Sequence, residues 1–198
     1  MTKRVFDVAV ALLALAMLVP LFIAIGIAIK LDSPGPVFFR QERVGRGGTP
    51  FQIYKFRSMR HGQGGVLLTV GRDSRITRVG AYLRRYKLDE LPQLINVVFG
   101  DMSLVGPRPE VPRYVALYPE AERTVIQSIR PGITDPASVE YYDESALLDA
   151  SADPERTYTE EILPNKLKLY HRYVEQRSFA GDLLVLFHTV GAAFARKR

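Results

Sequence analysis

The stretch Tyr82-Leu83-Arg84-Arg85-Tyr86-Lys87-Leu88-Asp89-Glu90-Leu91-Pro92 sets two adjacent carboxylates at the end of a cationic run. From Arg72 to Lys87 the chain carries six Arg or Lys residues (Arg72, Arg75, Arg78, Arg84, Arg85, Lys87) and one acid, Asp73. Beyond the pair, Leu91, Leu94, Ile95, Val98 and Phe99 recur at helical spacing until Gly100 and Asp101, so a helix is predicted to start at Asp89 and Glu90 and to stop at Gly100. Asp suits the cap position, and Pro92 suits the first turn, where its missing N–H has no partner to lose. The helix dipole and the nearby cations are expected to keep both acids ionised and to attract an anionic substrate. An Asp-Glu pair at a helix start most often does no more than cap it. Consecutive helical residues also point about 100° apart, so if both acids are catalytic their roles differ.

Composition narrows the function classes. The 198 residues suit one domain of ordinary size plus an appendage. The absence of Cys removes disulfides, Cys-based zinc sites and a thiol nucleophile. His61, His171 and His188 share no ligand spacing and read as structural or surface residues. The net charge of +6 is unevenly spread: residues 135–161 hold nine of the 21 acids and one of the 27 bases, Arg156. A basic body facing phosphates or anionic lipid, with an acidic segment turned away, fits that division better than a nucleic-acid binder does.

At the amino terminus, Lys3 and Arg4 precede a run of 22 uncharged residues from Val8 to Ile29. As a helix it reaches about 33 Å, enough to span a bilayer core of about 30 Å. A signal peptide is disfavoured, because its hydrophobic part is usually only about 7–15 residues. Two features argue against a simple span. Pro20 lies mid-run, where it removes a backbone hydrogen bond and predicts a kink. Both flanks are basic, with Lys30, Arg40, Arg43 and Arg46 following, so neither end looks translocated. A kinked helix returning to the same face satisfies both features, whereas a Pro-kinked span satisfies only the first.

Next, the turn cluster Leu31-Asp32-Ser33-Pro34-Gly35-Pro36 leads into two alternating segments, residues 37–45 and 51–59, joined across Gly47-Gly48. This pattern predicts a β-hairpin with Lys55 and Arg57 on one face. Residues 62–71 are Gly-rich and read as a surface loop. Arg108 stands between Pro107 and Pro109, which restrict the backbone and lower the entropy lost when a guanidinium engages phosphate. Arg130-Pro131-Gly132 repeats the device, and together they suggest an anion site lined by Arg84, Arg108 and Arg130. Residues 111–129 and 162–177 read as helices, residues 141–161 as an exposed acidic helix and loop, and residues 182–198 as an apolar segment suited to a core or to a membrane interface.

Five motifs in order carry a resemblance: Gly-Pro-Val-Phe-Phe-Arg-Gln-Glu-Arg-Val-Gly from Gly35, Tyr-Lys-Phe-Arg-Ser-Met from Tyr54, Leu-Asp-Glu-Leu-Pro-Gln-Leu-Ile-Asn-Val from Leu88, Gly-Asp-Met-Ser-Leu-Val-Gly-Pro-Arg-Pro from Gly100, and Arg-Pro-Gly-Ile-Thr from Arg130. With the hydrophobic amino terminus they make the chain similar to the bacterial sugar transferase family, the monotopic phosphoglycosyl transferases that begin glycan assembly on a polyprenyl phosphate. The resemblance covers residues 3–134. It implies a re-entrant membrane helix broken at Pro20, a catalytic face at the cytoplasmic side of the bacterial inner membrane, Mg2+, and transfer of a phosphosugar from a nucleotide sugar, with UDP as the nucleotide. It names Asp89 as nucleophile and leaves Glu90 as metal ligand or base. The chain departs from the pattern at Val19-Pro20, where related small enzymes have Ser-Pro, and at Asp135-Pro136-Ala137-Ser138, where Gly-Trp-Ala-Gln is frequent.

The expectation is therefore an α/β fold, mostly helical with a short β-hairpin. Residues 1–32 form the re-entrant membrane helix, and residues 33–198 a small cytoplasmic catalytic domain with membrane-interface helices. Asp89 and Glu90 are the catalytic and metal-binding candidates, and Lys55, Arg57, Arg84, Arg108 and Arg130 the substrate-binding ones. Expected partners are a nucleotide diphosphate sugar, polyprenyl (undecaprenyl) phosphate, membrane lipid, a second copy of the chain and downstream glycosyltransferases, with no nucleic acid. The competing reading is a catalytically silent membrane-anchored scaffold for polysaccharide assembly.

Overall fold

The computed structural model describes residues 2–62, 68, 73–141 and 144–195, with the backbone alone at 139, 190 and 192–195. Most of the loop expected at 62–71 and the basic end at 196–198 lie outside these residues.

Ala, Leu, Ile and Val supply an unbroken apolar run, and the first element is accordingly a single helix, α1 (Thr2–Asp32). Pro20 lies inside it, where the sequence suggested a break. One stripe of α1 faces the rest of the protein: Asp7, Ala11, Ile25 and Ile29 are buried, and Ala14, Leu18 and Phe22 pack between them. That spacing of three and four follows the 3.6-residue helical repeat. The remaining surface of α1 is apolar and exposed, and it is the one described helix long and apolar enough to cross a membrane.

Both ends of α1 are tied to the same body. Near its start, Arg4 donates to the carbonyls of Met102 and Val98, Lys3 pairs with Asp182 at 2.8 Å, and Ser103 Oγ donates to Asp7 at 2.7 Å. At its end, the Arg57 guanidinium donates to the carbonyls of Ile29, Ser33 and Pro34, and Asp32 accepts from the Val79 amide at 3.0 Å. These bonds satisfy orphan carbonyls that a helix end otherwise leaves to solvent.

The hairpin forms as expected. β1 (Phe38–Val44) and β2 (Pro50–Phe56) pair antiparallel, with Phe38 opposite Phe56 and Val44 opposite Pro50. Their connection is a tight turn in which Gly47 and Gly48 both take positive φ. α2 (Arg78–Arg85) is capped by Thr77, whose side chain accepts from the Gly80 amide. A Cβ at Gly80 would lie 1.9 Å from the Ser58 carbonyl oxygen, so only glycine lets α2 approach that strand end.

The central helix starts later than the periodicity implied. Lys87 adopts the left-handed conformation and ends α2, Leu88–Glu90 form a 3-10 turn, and α3 spans Gln93–Phe99 with Pro92 as its cap. Asp89 therefore caps nothing. Gly100 stops α3 in the left-handed conformation, as predicted. A two-stranded parallel ladder of β3 (Ser103–Val105) and β4 (Gly132–Thr134) follows, built from the triplets Ser-Leu-Val and Gly-Ile-Thr, which are too short to carry a periodic signal. It brings Gly106 and Gly132 into backbone contact, since a Cβ on Gly132 would lie 2.1 Å from Gly106 N.

Residues 111–129 form two helices and not one, α4 (Pro112–Val115) and α5 (Glu120–Ile126). Pro119 separates them, because a residue before proline is driven out of helical conformation. The variant Asp135-Pro136-Ala137-Ser138 is a helix start: Asp135 caps α6 (Pro136–Glu140) by accepting from the Ser138 amide, with Pro136 in the first turn.

The acidic stretch is less exposed than its composition suggested. α7 (Glu144–Asp149) and α8 (Pro154–Thr157) lead through a π-turn (Tyr158–Ile162) into α9 (Leu163–Gln176). Leu148 and Tyr158 are fully buried in a cluster with Tyr114, Tyr118, Leu163 and Tyr170. Amphipathic spacing inside an acidic background hid this. Last, α10 (Phe179–Ala195) packs by Val185 and Leu186 on the cluster around β3 and exposes Phe179, Leu184 and Phe187.

Candidate active site

The 3-10 turn carrying Asp89 and Glu90 sits against β2. Asn96, fully buried on α3, accepts from the Tyr54 amide at 3.0 Å and donates to the Gln52 carbonyl at 2.8 Å. One side-chain amide thus takes the place of a neighbouring strand and fixes the hairpin against α3, with Lys55 facing Glu90. Sequence reasoning missed Asn96, although a polar residue among the apolar positions of an amphipathic helix was its visible signal.

Glu90 is a junction of charge. Lys55 Nζ donates to Oε1 at 2.9 Å, Arg108 Nη1 donates to Oε2 at 3.1 Å, and Arg108 Nη2 also binds Oε1. This is the planar two-pronged contact that guanidinium makes with carboxylate. Burial alone would raise the Glu90 carboxyl, but the Arg108 and Lys55 charges outweigh it and hold it well below the usual carboxylate range. Arg108 is in turn raised well above its ordinary value, chiefly by the Glu90 charge.

Asp89 behaves differently. Only 6 % of it is exposed, and no hydrogen bond to its carboxylate occurs among the described residues. Burial, then the neighbouring Glu90 charge, pushes its carboxyl up, against the opposing pull of Lys55, Arg84 and Lys87. This corrects the expectation that dipole and cations together would hold both acids low: without a capping role Asp89 gains no amide donors, and desolvation prevails. Lys55, Arg84, Lys87 and Arg108 oppose two carboxylates here, so the site carries surplus positive charge suited to a diphosphate.

Arg108 is braced as its flanking prolines suggested. The Pro107 carbonyl accepts from the Gly132 amide at 3.0 Å, the Pro109 carbonyl from Arg43 Nη1 at 3.0 Å, and the Glu110 carbonyl from the Val44 amide at 2.9 Å. The Glu110 side chain, buried, accepts from Tyr158 at 2.7 Å and from Arg43 at 3.4 Å. Burial would raise its carboxyl, but Lys166 and Arg43 keep it low. Asp135, fully buried, is pushed up by burial against its Ser138 bonds and the Arg108 charge. Arg43, Glu110 and Asp135 were not singled out from sequence as supports of Arg108. For Glu110 and Asp135 the only available sign was an acid beside proline.

Two proposed anion ligands lie apart from this group. Arg57 is buried and its guanidinium is committed to the end of α1. Arg130 Nε donates to the Gly100 carbonyl at 2.7 Å and lies beside Arg4. The structure thus brings together Asp89, Glu90, Lys55, Arg84 and Arg108. His171 pairs with Glu122 at 2.6 Å, and His61 and His188 are exposed.

An N-terminal apolar helix docked on a small α/β body, with an Asp-Glu turn ringed by Lys and Arg, is an arrangement suited to handling phosphate groups beside an apolar phase. The chain belongs to the bacterial sugar transferase family, whose model matches residues 1–196. It is 39% identical over 201 residues to UDP-glucose:undecaprenyl-phosphate glucose-1-phosphate transferase of Caulobacter vibrioides, covering 95% of this chain and 68% of that one. A UDP-N-acetylgalactosamine-undecaprenyl-phosphate N-acetylgalactosaminephosphotransferase of Aeromonas hydrophila is 38% identical over 95% of this chain and 42% of its own. The Escherichia coli glucose-1-phosphate transferase of the same name as the Caulobacter protein is 36% identical over 98% of this chain and 40% of its own. The match thus takes in between two fifths and two thirds of these relatives.

Proposed function

We propose that the chain transfers a phosphosugar from a UDP-sugar to undecaprenyl phosphate, releasing UMP and giving a polyprenyl-diphosphate sugar, the first membrane step of exopolysaccharide or related glycan assembly. The observation that carries this reading is the contrast between adjacent acids: Glu90 locked to Arg108 and Lys55, and Asp89 buried, without hydrogen bonds and raised. A carboxylate freed of donors is a better nucleophile than a capped one. The activities for which the relatives are named supply the substrates.

In this mechanism an Asp89 oxygen attacks the sugar-bearing phosphorus, the bond from that phosphorus to the bridging oxygen breaks, and UMP leaves with the electron pair. An oxygen of the lipid phosphate then attacks the same phosphorus, forms the new diphosphate and returns Asp89 as carboxylate. Arg108, Lys55 and Arg84 screen the charge that develops on the phosphoryl oxygens. Glu90 orients Arg108 and Lys55 before substrate arrives, and it would serve either as a ligand of a bound divalent ion or as the acceptor of a proton from the lipid phosphate.

The residues fit Mg2+ as a companion of the diphosphate. No group of three or more metal-ligating side chains occurs among the described residues, but Mg2+ usually keeps several waters and needs only one or two carboxylates plus substrate phosphates. Asp89 has uncommitted oxygens, and Glu90 can exchange a cation for the ion. When bound, the ion neutralises phosphate charge.

Both ends of α1 bond to the catalytic body, and one stripe lies along it from Asp7 to Ile29. A helix held this way supports a monotopic arrangement, with the exposed apolar face in one leaflet of the inner membrane and the body on the cytoplasmic side. α10 also exposes Leu184 and Phe187, side chains suited to an apolar phase. The test of function is release of UMP from a panel of UDP-sugars by the purified chain in detergent, dependent on added undecaprenyl phosphate and Mg2+. No release from any donor supports the silent scaffold.

A further inference from the structure

Away from Asp89, a cavity of about 650 Å3 opens where α1 ends, between Leu31–Pro34, Arg60 and His61, and the start of α2 at Thr77 and Arg78. Its size is that of a small-molecule site. The walls are fixed. Arg57 clamps the helix end through the carbonyls of Ile29, Ser33 and Pro34. Opposite, the Thr77 amide donates to the Ser58 carbonyl at 3.1 Å and the Arg60 amide to the Arg75 carbonyl at 2.8 Å, with Met59 bridged to Ile76.

The rim is cationic. Arg60 and Arg78, with His61 beside them, face one acid among the described lining residues, Asp32, whose carboxylate accepts from the Val79 amide. After that Val79 hydrogen bond, Arg78 and Arg60 both help to lower the Asp32 carboxyl, but neither closes on it or on another acid as a salt bridge among the described residues. Leading to this rim along α1 are Ile23, Ile27 and Leu31, four residues apart and therefore on one face, exposed by 59%, 56% and 83%. Leu31 is itself part of the cavity wall. A basic recess at the end of an apolar track is the complement of a phosphate carried on a long apolar tail, and a nucleotide sugar has no use for the track.

We infer that this cavity is the landing site of the isoprenoid phosphate acceptor, with the tail along Ile23, Ile27 and Leu31 and the phosphate against Arg60, His61 and Arg78. The inference rests on the proposed acceptor chemistry. α2 links the two sites: Arg78 opens the helix at the cavity and Arg84, about 9 Å further along its axis, faces Asp89. Holding the phosphate there keeps the acceptor at hand while the donor occupies Asp89.

The test compares wild type with an Arg60→Ala, Arg78→Ala double variant, full-length and in detergent. The variant is expected to keep the KM for UDP-sugar and the single-turnover release of UMP without lipid. Its KM for polyprenyl phosphate is expected to rise tenfold or more, binding of fluorescent farnesyl phosphate is expected to weaken equally, and an Arg60→Lys, Arg78→Lys variant is expected to recover most of both. An unchanged lipid KM overturns the inference. So does a raised KM for UDP-sugar, which makes the cavity a nucleotide site, or lost binding to phosphatidylglycerol vesicles with lipid KM unaltered, which makes it a general headgroup contact. If wild type binds farnesyl phosphate through these arginines yet releases UMP from no donor, the cavity stands and the proposed reaction falls.

Discussion

Asp89 and Glu90 are neighbours with opposite electrostatics, and substitutions separate them. Asp89→Asn keeps the shape but loses the charged oxygen, so turnover is expected to fall by orders of magnitude while the protein folds. Its effect on stability has a definite sign. A carboxyl raised in the folded state contributes stability below its unfolded value, which is lost as pH rises through the folded one. At neutral pH wild type bears that cost and the Asn variant does not, so thermal unfolding should show the variant at least as stable. A lower melting temperature at pH 7.5 than wild type counts against a desolvated, unbonded Asp89. Arg108→Lys retains charge but not the two-pronged contact with Glu90. Steady-state assays should show turnover reduced at least tenfold, and near-normal turnover removes Arg108 from phosphate binding.

At the scale of elements, α1 is the part through which we propose that the molecule meets the membrane. Its polar anchors, Lys3, Arg4 and Asp7 at one end and Asp32 at the other, bind a single body, so its two ends are expected on one side. Single cysteines at Thr2→Cys and at Ala152→Cys should both resist an impermeant thiol reagent in intact cells and react after permeabilisation. Labelling of position 2 alone in intact cells means an ordinary span. Pro20→Leu restores a backbone donor and stiffens the helix, and is expected to shift some amino termini across.

The hairpin, the long helix and the Gly100 stop were legible because alternation, length and a left-handed cap each leave a local mark. The later start of α3 was not, because Asp89-Glu90-Leu91-Pro92 satisfies the rules for a helix start while Lys87 in the left-handed region sets a separate 3-10 turn. The β3–β4 ladder and the Asn96 bridge depend on residues far apart in sequence, which no local pattern encodes. Among the charged candidates, sequence identified cations that bind anions without distinguishing external from internal ones: Arg108 and Lys55 found Glu90, whereas Arg57 and Arg130 found backbone carbonyls.

Across the whole molecule, three apolar clusters hold one arrangement: the hairpin and α3 present Lys55 and the acidic turn, the β3–β4 crossing presents Arg108, and the α7–α9 layer supports Arg108 from beneath through Tyr158, Lys166 and Glu110. Each layer supplies one part of the site that we propose splits a diphosphate through a covalent intermediate. Rapid-quench incubation with UDP-sugar labelled in the sugar, without lipid acceptor, tests that most directly. A stoichiometric phosphosugar adduct on the peptide containing Asp89, formed together with UMP and discharged by added polyprenyl phosphate, is the expected result. No adduct at any time, with UMP released only when both substrates are bound, means that the lipid phosphate attacks directly and Asp89 is not the nucleophile.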